Sequence, residues 1–93
     1  MPHCITIGHN NLTNNRAVKN IVIGEDAMQE CSGGDNTAVG YHASFRNTSG
    51  NKNSSYGSES QDDNTTGYGN ASLGFCSLQR NNTGNYNVAI GSY

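Results

Sequence analysis

Three histidines, three cysteines and two acidic pairs are the residues of this chain that could do chemistry. His3, His9 and His42 could act as bases or metal ligands, and Cys4, Cys31 and Cys76 as nucleophiles or zinc ligands. Nucleophilic catalysis needs a base beside a Ser or Cys and a third group that orients the base. Zinc needs Cys and His at short, paired spacings. The chain shows neither pattern, and a disulfide framework would show an even, patterned cysteine count. The three thiols read as small hydrophobes. Glu25-Asp26 and Asp62-Asp63 could offer oxygens to calcium, but calcium takes six or more and the glycine-rich nonapeptide of calcium-binding rolls is missing. These pairs read as solvated turn carboxylates, so the expectation is no enzyme, no metal and no cofactor. Tyr68 and Tyr86 carry a different chemistry. Aromatic rings flanked by Asn and Gly suit stacking and hydrogen bonding with a sugar; the competing reading is that they cap a turn by packing.

What positions these residues is a repeat. Asn20-Ile21-Val22-Ile23-Gly24 returns as Asn36-Thr37-Ala38-Val39-Gly40, Asn53-Ser54-Ser55-Tyr56-Gly57, Asn70-Ala71-Ser72-Leu73-Gly74 and Asn87-Val88-Ala89-Ile90-Gly91, and Cys4 to Gly8 is a copy with Cys for Asn. The end glycines Gly8, Gly24, Gly40, Gly57, Gly74 and Gly91 step by 16, 16, 17, 17 and 17 residues. A second column, Gly33, Gly50, Gly67 and Gly84 with Ala17 as its first member, lies seven residues before each following end glycine. A fixed period of this kind marks a stacked repeat fold. The rungs are 4–19, 20–35, 36–52, 53–69 and 70–86, with a partial rung at 87–93, and together they make one domain over 1–93.

Within each rung, alternation of period two predicts a strand. The large columns, Ile5/Ile21 to Val88 and Ile7/Ile23 to Ile90, share one face. By size they are the expected core, together with Leu12, Met28, Phe45 and Leu78 from a second short strand after the glycine. Thr6, Val22, Ala38, Ser55, Ser72 and Ala89 share the other face, small enough for a neighbouring surface to approach. Two turns complete the rung, with the second-column glycines taking positive φ. Stacked in register, Asn20, Asn36, Asn53, Asn70 and Asn87 are expected to form a hydrogen-bonded amide ladder. The fourth rung, with Ser54, Ser55, Ser60 and Gln61, reads as the weakest. The fold class is therefore all-β, a parallel β-roll or β-solenoid.

Composition excludes several partners. Net charge is −2, and Arg16, Lys19, Arg46, Lys52 and Arg80 are scattered rather than clustered, which argues against nucleic acid. No apolar run is long enough to span a membrane as a helix. The start, Met1-Pro2-His3-Cys4, lacks a signal-peptide pattern. Six Asn-x-Ser/Thr sequons, at Asn11, Asn47, Asn53, Asn64, Asn70 and Asn81, read as a consequence of composition.

The stretch from Asn36 to Ala43, followed by Asn47-Thr48-Ser49-Gly50-Asn51-Lys52-Asn53, resembles repeats of bacteriophage and large-virus tail-fibre proteins. Val88-Ala89-Ile90-Gly91 is similar to the head repeat of trimeric autotransporter adhesins. The resemblance covers Cys4 to Tyr93. It implies a left-handed parallel β-roll assembled as a homotrimer, with the Ile7/Ile23/Ile90 column in the core and the Thr6/Val22/Ala38 column nearer the neighbouring chain. The rungs are longer than the adhesin head rung and no anchor follows, which favours a virion over a bacterial surface. The expected function is a structural fibre or spike component of a phage or other virus. It would be a rigid homotrimeric spacer whose surface, at Tyr68 and Tyr86, suits a host glycan, with other virion or fibre subunits meeting its ends. The rivals are a fragment of a bacterial trimeric adhesin head, placed on the cell surface, and an ice-binding solenoid. Thr6 and Thr37, isolated and out of phase, fit the last poorly.

Overall fold

A computed structural model describes residues 4–11, 18–29 and 31–93. Six short strands, β1 (Ile5–His9), β2 (Ile21–Glu25), β3 (Thr37–Val39), β4 (Ser54–Tyr56), β5 (Ala71–Leu73) and β6 (Val88–Ile90), form one sheet in chain order. Every pair is parallel, and the register follows the repeat: Ile21 pairs with Thr37, Thr37 with Ser54, Ser54 with Ala71 and Ala71 with Val88. Parallel strands need a return connection between them. Here each rung supplies it without a helix, so the chain winds as a β-solenoid of 16- and 17-residue turns, as expected.

The strand faces are reversed from the sequence reading. Val22, Ala38 and Ser55 have no exposed surface, whereas Ile5, Ile7, Leu73, Val88 and Ile90 are more than half exposed. The small column points into the rung and the large columns point to solvent, so association through the small column is ruled out in this arrangement. The reason is width. The inward strand column packs against Met28, Ser44 and Gln61, with Ala27, Ala43, Ser60 and Ser77 buried beside them. With Met28 and Gln61 already filling that space the facing strand column has room for small side chains, and overfilling a packed interior costs about 1–3 kcal/mol per misfit. Of the expected core residues, Met28 is fully buried and Leu78 half-buried, while Phe45 lies half-exposed on the surface. Leu12, Ala17 and His3 lie outside the described residues.

Among the described residues, the second segment of the rung is not a strand. After the end glycine, residues two and four positions on take positive φ: Asp26 and Met28, His42 and Ser44, Glu59 and Gln61, Cys76 and Leu78. In the third rung the N–H groups of Ala43, Phe45 and Asn47 close local turns onto Gly40, His42 and Ser44, while those of His42, Ser44 and Arg46 donate to Glu25, Ser60 and Asp62 on neighbouring rungs. Each backbone donor in this stretch is therefore used, half locally and half along the stack.

The two glycine columns serve different needs. Gly40 has φ +131, and a Cβ built on it would stand 2.7 Å from the Gly57 carbonyl carbon of the next rung. It answers both conformation and close approach. Gly33, Gly50, Gly67 and Gly84 are not at positive φ, contrary to expectation. At Gly50, Gly67 and Gly84 a Cβ would collide with the side-chain oxygen of Asn47, Asn64 or Asn81, so these glycines make room for a neighbouring amide.

Candidate functional site

The interior is built from amides. In the Asn20–Asn87 column, Oδ1 of each residue accepts the backbone N–H of the next: Asn36 to Asn20 at 2.9 Å, Asn53 to Asn36 at 2.9 Å, Asn70 to Asn53 at 3.0 Å and Asn87 to Asn70 at 2.9 Å. The Nδ2 groups of Asn20, Asn36, Asn53 and Asn70 donate to the carbonyls of Gly33, Gly50, Gly67 and Gly84 at 2.8–3.0 Å. The expected ladder is present, and it is a side-chain-to-backbone ladder tied across the rung to the second glycine column. Asn20, Asn36, Asn53 and Asn70 are buried, so each bond replaces solvent that could not reach its partners.

A second buried column had no counterpart in the sequence reading beyond its turn residues. Asn47, Asn64 and Asn81 each donate Nδ2 to the glycine three residues on, Gly50, Gly67 and Gly84, at 3.0–3.2 Å. Asn64 also donates to Asn47 Oδ1 at 3.2 Å. Cys31 occupies the corresponding place one rung earlier, where it donates to Gly33 O at 3.4 Å and accepts from Asn47 at 3.5 Å. Burial pushes its thiol up to about 11. A nucleophilic thiolate needs the reverse environment.

The interior changes character along the stack. Val22, Ala27, Met28, Cys31, Ala38 and Ala43 form an apolar cluster against which Cys4 packs. Beyond it, Ser44 and Ser55 share a hydrogen bond of 2.7 Å, and Gln61 Nε2 donates to Ser54 O and Ser72 Oγ, both at 3.0 Å. Gln61 takes the place in its rung that Met28 takes in an earlier one. Among the described residues, Gln61 Oε1 and Asn64 Oδ1 are buried with no partner. The fourth rung is thus filled by hydrogen-bonded groups rather than apolar ones.

On the surface, three places stand out. His42 is sandwiched between the rings of Tyr41 and Phe45, with centroids 4.0 and 4.4 Å away, and its Nε2 faces Asp26 Oδ2 at 3.4 Å. Arg46 pairs with Asp63 at 3.2 Å. Burial, and next the charge of Asp63, hold the Asp62 carboxyl above its ordinary range. The acidic pairs Glu25-Asp26 and Asp62-Asp63 remain apart: among the described residues no three His, Cys, Asp or Glu groups are placed to hold a metal ion. His9 lies exposed in β1, its carbonyl accepting the Asp26 N–H at 2.9 Å.

The second place is the corner before the strand. Tyr68 and Tyr86 meet edge to face at 5.2 Å, and with Asp35, Asn51, Lys52 and Gly69 they line an open hollow of about 390 Å³. Gly69, at φ +68, leaves room for the Tyr86 ring, since a Cβ there would stand 2.8 Å from it. The hollow's floor is tied across rungs. Gly34 N–H donates to Asn51 Oδ1 at 2.9 Å, Tyr68 N–H to Asn85 Oδ1 at 3.0 Å and Tyr86 N–H to Tyr68 O at 3.0 Å. The structure therefore brings both sequence-picked tyrosines together and adds Asp35, Asn51 and Lys52. Asp35 and Lys52 share the repeat phase of Tyr86, and Asn51 that of Tyr68.

The third is the outward strand face. Ile5, Ile7, Ile21, Ile23, Tyr56, Leu73, Val88 and Ile90 are 36–78% exposed; with Val39 the column from Ile7 to Ile90 is apolar in every strand, while that from Ile5 to Val88 is interrupted by Thr37, Ser54 and Ala71. Near its end a trough of about 180 Å³ lies among Ser54, Tyr56, Ala71, Leu73, Val88 and Ile90. Among the described residues no helix is long and apolar enough to cross a membrane. The chain matches no family model, no curated protein and no solved structure.

Proposed function

We propose that this chain is a non-enzymatic structural module of a phage or other viral fibre or spike, in which copies pack side by side along the outward strand face into a rigid spacer. The observation that carries this reading is the apolar face itself. Eight large side chains at roughly 100 Å² each exceed the few hundred Å² of contiguous apolar surface that a monomeric soluble protein commonly leaves bare. The trough between the small Ser54/Ala71 positions and the large Tyr56/Leu73/Ile90 column offers a neighbour's side chains somewhere to seat. The face argues for copies; the number three, and the place in a virion, come from the resemblance to fibre and adhesin-head repeats. In this reading the interior amides supply stiffness and the outward residues supply assembly. The hollow at Tyr68 and Tyr86 presents rings, an amide, a carboxylate and an ammonium group to a host-surface sugar.

Sedimentation equilibrium tests the assembly. The folded protein is expected at three times the 9.9 kDa chain mass. A folded particle of 9.9 kDa at every concentration contradicts it. Binding to a panel of immobilised oligosaccharides, compared with Tyr86→Ala, tests the hollow: bound sugars are expected to be lost from the variant, and equal binding by both would remove the hollow from the function.

A further inference from the structure

Five of the six sequons have a structural origin that composition does not explain. Each ladder asparagine is followed two residues later by the inward strand column, and where that column holds Ser55 or Ser72 a sequon results at Asn53 or Asn70. Each corner asparagine, Asn47, Asn64 or Asn81, is followed two residues later by the turn residue Ser49, Thr66 or Thr83. The acceptor atom of every sequon is already engaged. Nδ2 of Asn11 donates to Gly24 O at 2.9 Å and to Ile7 O at 3.1 Å. Those of Asn47 and Asn64 donate to Gly50 O and Gly67 O at 3.2 and 3.0 Å. Asn53 donates to Gly67 O at 2.8 Å, Asn70 to Gly84 O at 2.8 Å and Asn81 to Gly84 O at 3.0 Å. Asn47, Asn53, Asn64 and Asn70 have 0–1% of their surface exposed.

We infer that the fold and Asn-linked glycosylation are mutually exclusive at Asn47, Asn53, Asn64 and Asn70. In that modification Nδ2 bonds to the anomeric carbon of a lipid-pyrophosphate-linked oligosaccharide. The bond from that carbon to the phosphate oxygen breaks, the lipid pyrophosphate leaves with the electron pair, and Nδ2 gives up one proton. The modified nitrogen keeps one N–H, so a hydrogen bond could survive in principle. The sugar could not, because the atom it would hang from lies inside a rung whose opposite wall is in contact. A glycan on an unfolded chain would block closure of that rung, and one blocked rung interrupts the stack, since each rung is paired only to its neighbours. The sequons are acceptors on the unfolded chain and structural parts of the folded one. This does not depend on the assembly or function proposed above.

The test uses the whole chain, a purified single-subunit oligosaccharyltransferase and a lipid-linked oligosaccharide, with products read by intact mass and peptide mapping. The folded chain is expected to be modified at Asn47, Asn53, Asn64 and Asn70 at least ~100-fold more slowly than a chain kept unfolded, because a hidden amide is reached only by opening. The chain modified while unfolded is expected not to regain its β circular dichroism or protease resistance on return to native buffer, whereas a mock-treated chain does. A variant carrying Thr13→Ala, Ser49→Ala, Ser55→Ala, Thr66→Ala, Ser72→Ala and Thr83→Ala keeps every asparagine and is expected to refold after the same treatment. Modification of the folded chain at the unfolded rate, refolding of a chain modified at any of the four buried asparagines, or failure of the unfolded chain to accept sugar overturns the inference.

Discussion

Val22 and Ile23 are neighbours in β2, both β-branched and apolar, yet Val22 has no exposed surface and Ile23 keeps 36% of its own. The same split runs through the stack. The inward side changes from Val22 to Ala38, Ser55 and Ser72 without opening the rung, while the outward side holds Ile5, Ile7, Ile23, Tyr56, Leu73 and Ile90. A wider domain places its largest apolar groups inside because that removes most area from water. A rung this narrow has no room to do so. Its interior is held by buried amide hydrogen bonds and close backbone contact, and its apolar area is left on the surface.

Breaking the inward side should be the most damaging change. Gly40→Ala adds a Cβ 2.7 Å from the Gly57 carbonyl carbon at φ +131, and is expected to cost about 4 kcal/mol or more, enough to leave the chain unfolded. Circular dichroism of the purified variant checks it; a native spectrum with a native melting temperature would mean the rungs are not so closely stacked. Asn53→Ala comes next. It leaves the Asn70 N–H buried without its partner, at roughly 1–3 kcal/mol, and takes from the Gly67 carbonyl one of its two donors, Asn64 Nδ2 remaining. Urea titration is expected to show a loss of about 3 kcal/mol.

High pH probes the inward side without a mutation. An unfolded thiol ionises near 9.0, while burial pushes Cys31 up to about 11. The unfolded chain therefore releases its proton first. The Cys31 contribution is complete below about pH 9 and is lost as pH rises toward 11, with a slope of at most ~1.4 kcal/mol per pH unit. The quantity to measure is the difference in urea midpoint between the protein and Cys31→Ser. Equal slopes for the two would place the thiol in solvent.

The outward side should respond least. Ile23→Thr keeps the β-branch and is expected to change the stability of a dissociated chain by less than about 0.5 kcal/mol. The same change is expected to weaken association, seen as dissociation at higher protein concentration. If it unfolds the dissociated chain instead, Ile23 is a core residue.

The contrast also explains what could be read from the sequence. The spacing of the end glycines placed every strand and its register, because a stacked fold repeats in sequence what it repeats in space. Alternation separated the two faces of each strand but did not say which lies inside. Size pointed the wrong way. Parity would have pointed the right way: Asn20 and Val22 are two residues apart and share a face, so a buried amide column requires the Val22 column to be buried with it. The second segment was misread as a strand because its alternating positive-φ residues leave no hydrophobic signature. The residues at those positions, among them Asp26, Met28, His42, Ser44, Gln61 and Leu78, include none that is β-branched, which is the trace that such backbone leaves. Tyr68 and Tyr86 were found by type and phase. Asp35 and Lys52 were not, because exposed charges at a corner look like any solvated surface.

The claim that the apolar strand face is turned outward and covered by another copy is tested most directly by the fluorescence of Tyr56→Trp across a dilution series, read together with particle mass. Tyr56 lies on that face at 41% exposure and its place accepts an aromatic ring. The account predicts blue-shifted emission from a particle several times the 9.9 kDa chain mass, moving to the red as dilution releases folded single chains. Blue-shifted emission from a folded 9.9 kDa particle would put the face inside the rung, and red emission from the folded protein at every concentration would leave it with no partner; either result contradicts the account.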